Sequence, residues 1–318
     1  MDSYAIKFRD LNVLSDSASG GAFYAIAKKV IEAGGCVFGC SLINEDLVAR
    51  HIMIETIAEL KLLQGAKYVE SELGRTFSQC ADQLKKGRKV LFSGTPCQIL
   101  FLRDYIYRVV CDKTIIHNLV LVDIICHGVP MKEVFNVYKK ELEHGLGGKL
   151  NTFSFRKKMG SWRHGRLIAS SSGRDLNIPY GESAYIKAFL KGLSLTPKCY
   201  ACAVKGENRA SDITIGDCWG IEFLNRRFDN DQGVSLVVLH SEIGHKYFNM
   251  IQDLVEFVDV NYKDALKYNE SYFRPTKKHF RRNFFLKHYK VERFSDVVSA
   301  CIKQPWWYRS FLRRVIKI

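Results

Sequence analysis

Two short apolar runs each end on a glycine-containing turn that carries a cysteine, and these turns constrain the chain more than any other feature. Arg88 to Ser93 runs into Gly94-Thr95-Pro96-Cys97-Gln98, and Leu119 to Ile125 runs into Cys126-His127-Gly128. The second run is apolar almost without a break, as expected of a strand covered on both faces, the usual condition of parallel strands in α/β proteins. A helical pattern spans Ala22 to Ala33, with Phe23, Ile26, Ala27, Val30 and Ile31 on one stripe, and a buried strand from Cys36 to Leu42 follows it. Ser19 is the expected N-cap of that helix and Gly34-Gly35 its stop. Further helices are predicted over Gly74 to Lys86, Met131 to Glu143, near Ala184 to Leu190, and from about Glu242 to Leu254. Gly145, Gly147 and Gly148 mark a junction, beyond which the strands are shorter: Thr152 to Arg156, Leu167 to Ser171 and Asp212 to Ile215. The expected class is mixed α/β. A strand–helix N-terminal part surrounds a buried sheet, a second part has shorter mixed strands, and a basic helical tail ends the chain.

The two strand-end cysteines are joined by a third group, Cys199-Tyr200-Ala201-Cys202, which Pro197 and Lys198 before it are expected to keep from being helical. Four thiolates at one point are what a cubane iron–sulfur cluster or a zinc ion needs. Spacing alone leaves three readings open: a cluster, structural zinc, or unlinked buried cysteines. Cys36, Cys40, Cys80, Cys111, Cys218 and Cys301 have no evident partner, and most of them read as small core residues.

The formal net charge is +15, but Arg274 to Ile318 holds 13 Lys and Arg against two acids and so carries +11 of it. A nearly balanced body argues against a nucleic-acid binder, while a basic end suits an acidic partner or an anionic lipid surface. Pro305-Trp306-Trp307-Tyr308-Arg309 and Arg313-Arg314 set aromatics beside cations there, as a lipid interface would require. No apolar run reaches the ~18–20 residues of a membrane span. MDSYAIKFRD lacks a secretory core, so a reducing cytoplasm is expected, with a peripheral site at the inner face of the membrane as an extension.

Other segments carry chemistry of their own. Ser17-Ala18-Ser19-Gly20-Gly21 opens a helix and is a candidate anion cradle, with ordinary capping as the plain alternative. Gly94-Thr95-Pro96 is a second place where backbone could approach a ligand. Arg156-Lys157-Lys158 with Gly160 and Trp162 sets positive charge beside an indole, fit for a phosphate or a flat ring, or else forms a solvated turn. Asp212 and Asp217 bracket a strand, and His127 directly follows Cys126.

Taken in order, these segments resemble the coenzyme F-420 hydrogenase/dehydrogenase beta-subunit family. The resemblance rests on Ser17 to Gly21, Gly94 to Gln98, Cys126 to Pro130, Arg156 to Trp162, Cys199 to Cys202 and Ser211 to Asp217, with Ala66-Lys67-Tyr68-Val69 and Ser71 as a further likeness. It covers roughly residues 5 to 290. It implies an iron–sulfur flavoprotein oxidoreductase that passes electrons between a 4Fe–4S cluster, FAD and a small-molecule substrate or redox partner. The cluster ligands would be Cys97, Cys126, Cys199 and Cys202. Contacts to the flavin would come from Ser17, Ser19, Gly20, Gly21, Lys67, Gly94, Thr95, Gln98, Arg156 and Trp162. His127, Lys157 and Asp217 are the catalytic candidates.

The expected division is a flavin- or anion-binding part over 1–90, an iron–sulfur and catalytic domain over 91–273, and the tail over 274–318. Many bacterial members of the family begin with a ferredoxin module and sit among genes of cell-surface polysaccharide assembly. This chain starts directly at the flavin segment, so a separate electron-transfer protein such as ferredoxin is expected. Cys218 stands where the family more often has an aromatic residue. Two other functions compete: a non-redox, zinc-stabilised enzyme such as a glycan-modifying transferase, and a peripheral membrane-binding protein.

Overall fold

The computed structural model describes residues 1–43 and 46–303. Among these residues the strands are β1 (Ser3–Phe8), β2 (Cys36–Ile43), β3 (Val48–Ile54), β4 (Val90–Gly94), β5 (Leu119–Ile124), β6 (Thr152–Met159), β7 (Ser161–Ser171), β8 (Arg174–Pro179), β9 (Ile213–Asp217), β10 (Ser235–Leu239) and β11 (Val255–Asp259). Eight of them form one sheet in the order β11-β1-β10-β9-β5-β4-β2-β3, and β6-β7-β8 form a second. The class is the expected mixed α/β.

The middle of the large sheet is parallel: β2 with β4, β4 with β5, and β5 with β9. Its continuous apolar runs are explained by two opposite coats of helix. Val90, Phe92, Leu119 and Leu121 face the helices Thr76–Lys85 and Pro96–Val109. Leu91, Val120 and Val122 face Ala22–Glu32 and Glu242–Ile251 on the other side. With both faces buried, alternation has nothing to distinguish, and Val90 to Phe92 and Leu119 to Val122 are apolar without a break.

Three expectations change here. Asp212 to Ile215 does not join the strands of the second part: β9 inserts between β5 and β10 of the large sheet, with Val122 opposite Ile213 and Ile124 opposite Ile215. Ser19 does not cap the first long helix. The N-cap is Gly21, at φ 83°, and the Ser19 hydroxyl donates to Val234 O at 2.7 Å. The reason is close packing: a Cβ on Gly20 would lie 2.2 Å from Ile6 O and 2.3 Å from Ser235 N, so the turn is wedged between β1 and β10.

The third change concerns the basic end. Through Lys303 it is not a separate tail. Phe285, Tyr289, Phe294, Val297, Val298 and Cys301 lie in the core under the small sheet, beside Phe135, Tyr138, Phe153, Phe155 and Tyr185. The helices Arg282–His288 and Phe294–Ile302 are amphipathic, so a charge count over the segment hides an apolar stripe. The aromatic and arginine residues from 305 to 314 lie outside the described residues.

Among the described residues no helix is long and apolar enough to cross a membrane.

Candidate functional site

β4 and β5 are parallel neighbours with Gly94 opposite Asp123, so the segments that follow them leave the same sheet edge side by side. After β4, Thr95 caps the helix Pro96–Val109. Gln98 closes the reciprocal capping box by accepting the Thr95 N–H at 2.9 Å. Cys97 therefore sits in a rigid first helical turn, its Sγ 3.2 Å from Thr95 Oγ1. After β5, Cys126 and His127 lead to a stretch stitched onto the segment before Cys199. Pro130 bridges Leu195, and Thr196 N donates to Val129 O at 2.8 Å. Cys199 Sγ accepts the Val129 N–H at 3.2 Å and lies 3.2 Å from Thr196 Oγ1.

The thiols share one electrostatic neighbourhood. Burial pushes Cys126 up to about 12; Lys205 opposes this, and Cys199 and Cys97 add to it. Burial likewise pushes the Lys205 ammonium down, while Cys126, Cys202 and Cys199 hold it up. Lys205 Nζ donates to Cys126 O and, at 2.6 Å, to Ser271 O. Among the described residues no three His, Cys, Asp or Glu side chains converge closely enough to hold a metal ion as they stand. The donor chemistry nevertheless fits a sulfur-ligated centre. It offers thiols on strand-end loops, N–H and O–H groups beside the sulfurs, and a cation to balance thiolate charge. His127 completes this cluster. Its Nδ1 is 3.3 Å from Ser271 Oγ, its Nε2 is buried without a partner, and burial lowers its pKa.

A second cluster adjoins the first. Arg156 is buried, donates to Asp217 Oδ2 at 2.6 Å and to Trp162 O at 3.1 Å, and lies over the rings of Trp219 and Tyr180. Burial disfavours its charge, but Asp217 more than offsets that, and its pKa is raised. Lys158 Nζ donates to Leu14 O, Ser19 O and Gln232 O at 2.6–2.8 Å, which fastens β6 to the Ser17–Gly21 turn. Burial lowers its pKa to about 8. Ser17 accepts from Gln64 Nε2 at 3.2 Å, and Lys67 Nζ donates to Leu63 O and Gln64 O at 2.8 and 2.7 Å. Tyr68 packs against Tyr180 on one side and stacks on Phe189 on the other, and Phe189 meets His127 edge-on at 4.9 Å. An unbroken line of rings thus runs from Arg156 to the Cys126 loop.

In the structure Cys126 neighbours Cys97 and Cys199, and Lys205 neighbours Cys126, Cys199 and Cys202, whereas Ser17, Ser19, Lys67, Arg156 and Asp217 belong to the second cluster, which the rings of Tyr180, Tyr68 and Phe189 connect to His127. Lys157 joins neither cluster. That side chain is half-exposed and ion-paired to Asp16 at 2.8 Å, because neighbours in a strand point to opposite faces. Trp162 is fully buried and stacks on Trp219 with centroids 4.9 Å apart, leaving Trp219 as the ring beside Arg156. Cys218 is a buried core residue. Sequence reasoning missed Trp219, Tyr180 and Lys205, and it read Lys158 only as part of the Arg156-Lys157-Lys158 charge run. It also missed a relay behind Cys97, in which Gln98 Nε2 donates to Ser71 Oγ at 3.0 Å, Ser71 Oγ lies 3.1 Å from His51 Nδ1, and His51 Nε2 lies 3.1 Å from Ser93 O. The Thr95-x-x-Gln98 capping box was a legible signal for its first member.

The family model that describes the C-terminal part of the beta subunit of coenzyme F420 hydrogenase/dehydrogenase matches residues 87–262. Among solved structures, a chain of the F420-reducing [NiFe] hydrogenase complex from Methanosarcina barkeri, in its xenon-derivatised form, superposes with a TM-score of 0.57 at 15% identity. The match covers 85% of this chain and 90% of that one, and at such identity it is a likeness of fold. No curated protein matches the chain.

Proposed function

Since the chain belongs to the coenzyme F420 hydrogenase/dehydrogenase beta-subunit family, a family of oxidoreductases, we propose that it is an iron–sulfur flavoprotein acting between an electron-transfer protein and a small-molecule substrate. Cys97, Cys126, Cys199 and Cys202 would hold a 4Fe–4S cluster, and FAD would lie along Ser17–Gly21, Lys67, Gly94-Thr95 and Arg156. Bound there, the cluster would supply single-electron exchange and the flavin a two-electron step. The observation that carries the proposal is the shared neighbourhood of the four thiols and Lys205 at the ends of β4 and β5.

The protein's own groups have distinct tasks in this scheme. Thr95, Val129 N–H and Thr196 stand beside the sulfurs of Cys97 and Cys199 and would tune their charge. Arg156, locked by Asp217, presents a fixed cation beside Trp219 and Tyr180 for a flat or anionic group. The rings of Tyr68 and Phe189 exclude water between the two clusters. His127, kept neutral near pH 7 by burial, has Nε2 free to hold or release a proton.

Anaerobic purification followed by iron, sulfide and flavin assay tests the proposal. We expect about four iron and four sulfide per chain, with flavin present, and loss of iron in each of Cys97→Ser, Cys126→Ser, Cys199→Ser and Cys202→Ser. A colourless protein with zinc as its only metal rejects it.

A further inference from the structure

The chain from Arg274 to Arg282 is fastened over the Cys199–Cys202 turn. Thr276 Oγ1 donates to His127 O, and His279 N donates to Gly192 O at 3.4 Å. Gly192 O also accepts from Tyr200 Oη at 2.8 Å. Gly192 has no room for a side chain, since its Cβ would lie 2.5 Å from Lys277 O. Arg282 is buried beneath; it donates from Nε to Tyr200 Oη at 2.8 Å and from Nη2 to Leu195 O at 2.9 Å.

The outer side of this strap is basic. Residues 274–281, RPTKKHFR, hold four cations and no acid. Arg274, Lys277 and Lys278 are exposed, as are Lys191 and Lys198 on the cysteine side. None of these five is ion-paired among the described residues. On the same strap Phe280 is 80% exposed. It is not loose: its ring stacks on His279 at 4.7 Å and carries the Arg281 guanidinium at 5.4 Å. An exposed, stacked aromatic on a strap that also carries exposed, unpaired cations is the make-up of a small, transient, charge-steered interface.

We infer that this strap is the docking face for a small acidic electron-transfer protein, which would meet the chain directly over Cys199 and Cys202. The inference rests on the proposed redox role of those thiols and adds where the partner sits. Charge complementarity names the partner's chemistry: an acidic surface around an apolar spot. A lipid surface fits less well. Membrane-surface helices bury a long apolar face, whereas the helix Arg282–His288 spends Phe285 on the protein core.

The test measures binding of the full chain, purified without oxygen, to an oxidised acidic two-cluster bacterial ferredoxin by biolayer interferometry at about 0.05 M salt. Lys277→Glu/Lys278→Glu should weaken binding at least about tenfold, mainly through the on-rate, with the difference shrinking as salt rises. Phe280→Ala should weaken it through the off-rate. The charge-matched control Lys85→Glu/Lys86→Glu, on another exposed surface, should bind within about twofold of the parent. Circular dichroism and melting confirm that all variants are folded. Three outcomes overturn the docking face: unchanged binding in the 277/278 variant, equal loss in the control, or a parent that ignores ferredoxin but sediments with anionic phosphatidylserine vesicles. Iron is assayed in the same preparations. An iron-containing protein with any of those outcomes loses the docking face alone, whereas an iron-free parent overturns the redox proposal and this inference with it.

Discussion

Asp123 at the end of β5 and Lys157 in β6 are both charged residues of strands, yet they are handled in opposite ways. Asp123 is buried to 1% side-chain exposure against Arg209, which is equally buried, at 3.2 Å. Thr214 Oγ1 donates to the same carboxylate at 2.5 Å, and the Arg209 guanidinium covers the Tyr272 ring at 4.1 Å. Lys157 stands at the surface with half its side chain in water. The parallel centre of the large sheet, coated on both faces, has nowhere to send a charge and pairs it inside, whereas the edge strands β3 and β11 carry exposed charges at Arg50 and Glu256. The small sheet has a free face and sends charges outward. The exceptions in β6 are Arg156, which reaches across to Asp217 of β9, and Lys158, which reaches the Ser17–Gly21 turn. Buried charge therefore collects in the large sheet and where the two sheets meet, which is where the candidate site lies.

Removing one partner of the fully buried pair is the strongest way to break this comparison. Arg209→Met leaves the Asp123 carboxylate desolvated and should cost about 4 kcal/mol, read as a lower urea midpoint. A loss under about 1 kcal/mol would mean that the large sheet tolerates an unpaired charge and that the contrast is not energetic. Next in size is a test of the small sheet's core. Phe285 is fully buried among Tyr138, Tyr185, Phe294 and their neighbours. Phe285→Ala should cost about 3 kcal/mol by transfer and cavity terms. A negligible loss would return the segment after 274 to the status of a loose appendage.

Titration sharpens the comparison further. His51 is buried in the large sheet, 3.1 Å from Ser93 O, and burial pushes its pKa down to about 4 from 6.5. The unfolded chain binds this proton first, so the stability that His51 contributes is complete above pH 6.5 and is lost as pH falls toward 4. Between pH 7 and pH 5 the loss should be about 2 kcal/mol, and His51→Gln should remove that slope. An unchanged pH–stability curve in the variant would show that the ring takes up its proton without leaving the fold.

The parallel centre of the large sheet was legible because full burial writes itself as a nearly continuous apolar run, interrupted in Leu119 to Ile125 only by the paired Asp123. The strand ends were legible for the same reason, since Gly94 and Gly128 punctuate those runs. β1 was not: Ser3–Phe8 is six residues without a clean alternation and gains its identity only from pairing with β10 and β11, more than two hundred positions away. At the Ser17–Gly21 turn the sequence could not separate two roles, because a glycine needed for close strand packing and one needed for a ligand are the same letter. Arg156, Lys157 and Lys158 read as one charge run. Only the strand's two-residue period, bent by the irregular pairing between Ser154 and Met159, separates them in space.

That separation supports the finest test of how the two sheets differ. Lys158 Nζ satisfies three backbone carbonyls between β6 and the Ser17–Gly21 turn, while Lys157 meets only the exposed Asp16. Lys158→Met removes the charged donor from all three and should cost about 1–2 kcal/mol, the partial exposure of the site keeping the figure low. Lys157→Met should stay within about 0.5 kcal/mol. If the turn also carries part of the flavin, Lys158→Met should lower flavin content while Lys157→Met keeps it, measured by absorbance after gel filtration. Equal effects of the two variants would mean that inward and outward positions of β6 are not energetically distinct, and that the turn is held by Gly20 and Ser235 alone.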